Sequence, residues 1–234
     1  MDSVIDSFMS HMIGGSLQLP ASSFASPSLR HPEQILIMTK NFREGGNKHT
    51  WYQSLKGTKV YRLEVRKERS TFRHEFLVAY TSDGDVYRFD RRTIQTPTTD
   101  LAAVLINGCR AEDSITPVTP NELQELKEKT DVAHLVHFQS TLPYLRHIIL
   151  YSAFLHESQS TKKYKMMLHN CYFFARSILN CVTTQVAQSI PVRADDVGVI
   201  RAHCAKVADL TLKLMVKNKY YSEFDPSKPR IRSF

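Results

Sequence analysis

From Thr58 to Arg91 the apolar residues recur with a period of two. Tyr61, Leu63 and Val65 alternate with Val60, Arg62, Glu64 and Arg66. That alternation predicts a strand with one wet face. Phe72 to Tyr80 is apolar on both faces after His74, the pattern of a central strand. Ser82-Asp83-Gly84-Asp85 carries hairpin-turn chemistry, and Val86 to Arg91 reads as the return strand. Upstream, the short apolar run Gln34 to Met38 predicts one more strand. Asn41 to His49, with Gly45-Gly46, reads as a loop. The first half is therefore expected to be an antiparallel meander of three or four strands.

In the second half the spacing becomes helical. Asn121 to Lys129 reads as a short helix with Thr119-Pro120-Asn121 at its cap. Ala133 to Phe138 reads as a strand. Thr141-Leu142-Pro143 reads as the start of a helix reaching about His156, since proline suits a first turn. Cys171, Phe174, Ala175, Ile178 and Cys181 form the stripe of a helix from Asn170 to about Gln188. Asp195-Asp196 opens a last helix whose apolar positions are Val197, Ile200, Cys204, Val207 and Leu214. The ends differ in composition. Residues 1–32 read as a flexible arm, with a short helix from Val4 to Met12 and a Ser/Pro/Ala-rich stretch. Residues 218–234 read as a loose basic tail. The expectation is an α+β fold, an antiparallel meander packed against helices, forming one domain over residues 33–217.

Composition adds three constraints. At 42% hydrophobic and 23% charged residues, the chain can bury a core. No apolar run is long enough for a membrane span, and Asp2 and Asp6 occupy the place of a basic leader segment. Four cysteines (Cys109, Cys171, Cys181, Cys204) without a leader point to reduced thiols in the cytoplasm or nucleus. With no CxxC pair, a zinc ribbon or thioredoxin-type dithiol is not expected. His134 and His137, three apart on a strand, point to opposite faces, and no metal or cofactor is expected. The net charge is +8, concentrated in Arg62, Arg66, Lys67, Arg69 and Arg73 and in the tail from Lys217 to Arg232. Such charge fits an anionic partner or membrane surface, or simply a solvated face. No nucleic-acid-binding motif accompanies it.

Chemistry concentrates at Cys171. A turn-prone Asn170 precedes it and a helical stripe follows, so the thiol opens a helix. The positive end of a helix dipole favours a thiolate, the nucleophilic form. A thiol nucleophile needs a base, and His74, a polar ring opening an apolar strand, sits where it can face a helix N-terminus. Cys181 and Cys204 read as core. His169 reads as an exposed loop residue.

The elements His74-x-Phe76-Leu77-Val78-Ala79-Tyr80, Asp83-Gly84, Val86-Tyr87-Arg88-Phe89 and Tyr164-x6-Cys171-x2-Phe174, over about residues 58–182, resemble the circularly permuted papain-like fold. The closest pattern is the lecithin:retinol acyltransferase-like branch of the NlpC/P60 superfamily. The chain is also similar to a set of proteins from mushroom-forming fungi with comparable His-Glu-Phe and Tyr-Arg-Phe-Asp-Arg segments. The resemblance implies Cys171 as nucleophile and His74 as base. It places the third catalytic position near Arg88, where the acyltransferases carry a histidine.

An arginine cannot accept the imidazole N–H, whereas Asp90, two residues on, can. The turn decides whether Asp90 shares a face with His74. A two-residue loop at Asp83-Gly84 pairs Val78 with Phe89 and turns Asp90 away. A three-residue loop, Ser82-Asp83-Gly84, pairs Val78 with Arg88 and brings Asp90 to the His74 side; glycine in third place favours it. The implied function is a cysteine-dependent hydrolase or acyltransferase acting on an acyl, amide or isopeptide substrate through a thioester. The alternative is a degenerate papain-like domain that serves as an interaction module.

Overall fold

The computed structural model describes residues 34–69, 74–93, 109–158, 163–164, 170–188, 197–217 and 230–233. The expected N-terminal arm, Phe72, Arg73, His169 and the Asp195-Asp196 helix opening lie outside them.

The fold is α+β. Its strands are β1 (Ile35–Leu36), β2 (Val60–Glu68), β3 (Glu75–Thr81), β4 (Val86–Thr93), β5 (Cys109–Pro117), β6 (Thr130–His137), β7 (Lys163–Tyr164) and β8 (Arg230–Ser233). Six of them form an antiparallel sheet in the order β1-β5-β4-β3-β2-β6. β7 pairs with β5, and β8 adds to β6 in parallel. Strand β8 thus lies within the stretch read as a loose tail. The helices are α1 (Thr39–Phe42), α2 (His49–Ser54), α3 (Pro120–Lys129), α4 (Leu145–Glu157), α5 (Cys171–Ala187) and α6 (Val197–Lys217).

Both faces of the sheet are covered. On one, Leu63, Val65, Leu77, Ala79, Phe89 and Ile115 share a core with α4, α5 and α6. On the other, Phe76, Val78 and Tyr80 pack against Leu126 and Leu123 of α3. Helix α3 is started by a capping box: the Thr119 side chain accepts from the Glu122 N–H, and Glu122 reaches back to the Thr119 N–H.

This second layer corrects the reading of β2 as half wet. Glu64 and Arg66 are buried beneath it, and burying charge is tolerated only when it is paired. Glu64 accepts from Arg66 at 2.6 Å and from the Tyr80 hydroxyl at 3.0 Å, and it pairs with Arg62. Four other expectations change. The loop over Asn41 to His49 is shorter, since α1 and α2 encroach on both ends, with Gly45 left-handed between them (φ 77°). Helix α4 begins at Leu145, because Pro143 is held in the connector by Val60, whose N–H donates to its carbonyl. Leu214 and Val197 are 45% and 40% exposed and outside the core. Strand β5 has no apolar alternation to reveal it: one of its inward residues is Asp113, buried against Arg91.

Candidate active site

Cys171 is the first residue of α5, placed there by Asn170. The Asn170 backbone is extended and its side-chain oxygen accepts from the Phe173 N–H at 3.0 Å, satisfying a donor the helix start would leave open. The thiol is 4% exposed and not in a disulfide. His74 sits just ahead of β3. Its carbonyl accepts from the Glu68 N–H at 2.9 Å, which ties the residue to β2.

The hairpin fixes the third member. Gly84 is left-handed (φ 90°), the Thr81 N–H donates to the Asp85 carbonyl, and Val78 pairs with Arg88. This is the three-residue loop. Continuing the register by two sets Asp90 opposite Phe76 and diagonal to His74, on the same face. There the His74 Nε2–H donates to Asp90 Oδ1 at 2.5 Å. The Cys171 sulfur lies beside the same ring, near enough to favour its charged form. With Nε2 committed to Asp90, Nδ1 is the nitrogen left to the sulfur. Three side chains expected from sequence as catalytic candidates therefore meet, carried by the residue just ahead of β3, by β4 and by the first turn of α5.

Electrostatics supports the same chain of contacts. Burial disfavours the charged form of His74, but the Asp90 carboxylate and the Cys171 sulfur outweigh it and push the imidazole up to about 10. Burial likewise opposes charge on Asp90, yet His74, Arg88 and Arg92 hold its carboxyl well below the usual range. Arg88, at the position where the resemblance put the third residue, does not bond to His74. Its Nη2 donates to Asp90 Oδ2 at 2.7 Å.

Sequence reasoning missed a buried clamp beside the site. Glu75 accepts from Arg176 through two bonds of 3.1 Å, and Lys67 lies 4.0 Å from the same carboxylate. This pair joins the residue after His74 to the helix that carries Cys171. A glutamate inside an otherwise apolar strand was the available signal.

The remaining candidates are dispersed. Cys181 and Cys204 are buried between helices; burial pushes the Cys181 thiol up, and Cys204 donates to the Tyr151 carbonyl at 3.7 Å. His134 is half-buried and His137 exposed on β6, and no metal-holding cluster occurs among the described residues. The basic stretch of β2 is largely neutralised internally, with Arg62 and Arg66 on Glu64 and Arg69 on Asp131. No helix among the described residues is long and apolar enough to cross a membrane. A cleft of about 750 Å³ opens over Arg88, Asp90 and Arg92, walled by Glu122, Leu126 and Lys129 of α3. It reaches the triad from the Asp90 side; His74 and Cys171 are not in its lining.

In comparisons with known proteins, the chain matches no family model, no curated protein and no solved structure.

Proposed function

We propose that the protein is a cysteine-dependent hydrolase or acyltransferase with Cys171 as nucleophile, His74 as general base and Asp90 as the group that orients and supports the imidazole. The observation that carries this reading is the continuous chain of contacts from Cys171 to His74 to Asp90, at the N-terminus of a helix. With the imidazole pushed up to about 10, Asp90 holds the proton on Nε2 and Nδ1 carries the one ceded by the thiol. The thiolate then attacks the carbonyl of an ester, amide or isopeptide, and N–H groups of the first turn of α5 stabilise the oxyanion. Collapse expels the alcohol or amine, protonated by His74, and leaves a thioester on Cys171. Water or a second acceptor releases the acyl group and regenerates the thiol. The order strand-borne His, strand-borne Asp and helix-borne Cys accords with a permuted papain-like architecture, which we take the domain to have.

The test is to trap the thioester. Incubation with a p-nitrophenyl ester followed by peptide mass mapping should place the acyl group on Cys171. The adduct should be absent from Cys171→Ser and strongly reduced in His74→Ala. Acylation spread over surface lysines with none on Cys171 would leave the interaction-module alternative as the better account.

A further inference from the structure

Asp90 carries more than its bond to His74. Its Oδ1 serves the imidazole, and its Oδ2 is shared by two guanidinium groups. Arg88 Nη2 donates at 2.7 Å and Arg92 Nε at 3.0 Å. Both arginines lie on β4, two residues before and two after Asp90, so the pleat brings all three to one face. Arg88 is itself braced: its guanidinium lies 3.7 Å over the Phe76 ring, and Glu68 is 3.7 Å from its Nη2. The Phe76 ring also stacks on His74, with centroids 6.1 Å apart and planes 30° from parallel. Asp90 is thus held through one oxygen by two cations and faces the imidazole with the other.

We infer that Arg88 and Arg92 are positioning residues for the thiol chemistry, clamping the Asp90 carboxylate that bonds directly to His74. The inference rests on the reading of Cys171, His74 and Asp90 given above. A carboxylate this buried would otherwise take up a proton readily. As a neutral acid it would no longer support an imidazolium or fix the proton on Nε2. Together with His74 the two arginines oppose that, and by holding Oδ2 they keep Oδ1 turned to the ring. Among the described residues, the charged and titratable groups around Asp90 are His74 just ahead of β3, Arg88 and Arg92 on β4, Glu68 at the end of β2 with Arg69 just after it, Glu122, Glu125 and Lys129 on α3, and Cys171 at the start of α5. Among the described residues, Arg88 and Arg92 are the groups that bond its Oδ2.

The experiment compares the wild-type protein with Arg88→Gln, Arg92→Gln and the double variant through two readouts. The first is the titration of Asp90 followed by carboxyl 13C NMR. The second is the pH profile of Cys171 alkylation by iodoacetamide. In the double variant the Asp90 midpoint should rise by about one pH unit or more. The acid limb of alkylation should rise with it, and each single variant should show part of the effect. Arg88→Lys/Arg92→Lys should restore the midpoint, because charge is retained, but only part of the alkylation rate, because the planar fork is lost. If the double variant does not fold, the single variants decide by the same readouts. An unmoved Asp90 midpoint overturns the clamp. A moved midpoint with an unmoved alkylation profile overturns the positioning role. A wild-type Cys171 no more reactive than Cys181 counts against the thiol-chemistry reading instead, while the Asp90 titration still reports on the clamp.

Discussion

At Asp90 burial and neighbouring charge pull in opposite directions. Burial favours its neutral form; His74, Arg88 and Arg92 favour its charged form, and they prevail. The consequence for stability has a defined sign. A carboxyl whose folded value is depressed contributes stability above its ordinary value of 3.8, lost as pH falls through the folded value. An imidazole raised from 6.5 to about 10 contributes fully below 6.5, and that contribution is lost as pH rises through about 10. The His74–Asp90 pair should therefore stabilise most between 3.8 and 6.5. The difference in Tm between the wild type and His74→Gln should be largest in that window and shrink on the alkaline side. A difference that does not vary with pH would mean the pair is not ionised. At this scale the sequence was informative about donors and acceptors. Arg88 cannot accept an imidazole proton, so Asp90 could be singled out. Arg92 could not, because its role depends on a carboxylate whose second oxygen is already shared.

Among the elements, the start of α5 does the most for the site. Its first residue is Cys171, and the Asn170 cap sets where the helix begins. Replacing Asn170 with alanine should cost about 1 kcal/mol of stability, read from the urea midpoint. It should also slow Cys171 alkylation as the first turn frays; an unchanged midpoint and rate would contradict the role assigned to the cap. The hairpin is a second case. A glycine in third place favoured the loop that aligns Asp90 with His74, and Gly84 is left-handed there. Strand β5 shows the opposite outcome. Its inward Asp113 is held by Arg91 through two bonds of 2.6 Å and by His156 at 2.9 Å. A strand that buries charge by pairing it carries no hydrophobic period, so periodicity could not find it.

For the molecule as a whole, the sheet is a layer between helices on both sides. That explains why an alternating strand such as β2 buries Glu64 and Arg66, and why Glu75 can lie at 0% exposure between β3 and α5. Sequence patterning located the meander, the helix stripe and the ends of the site. It could not foresee which polar residues would be covered, since that depends on α3 folding back over the far face. The account's central claim is that this framework makes one of several buried thiols reactive. The measurement that tests it most directly is the relative rate of iodoacetamide alkylation at Cys171, Cys181 and Cys204 in the folded protein, resolved by peptide mass mapping. Cys171 should react at least about tenfold faster than the other two, as expected of a thiol activated by an adjacent base. That excess should disappear in His74→Ala. Equal rates at the three cysteines, or an excess at Cys171 that survives the loss of His74, would contradict it.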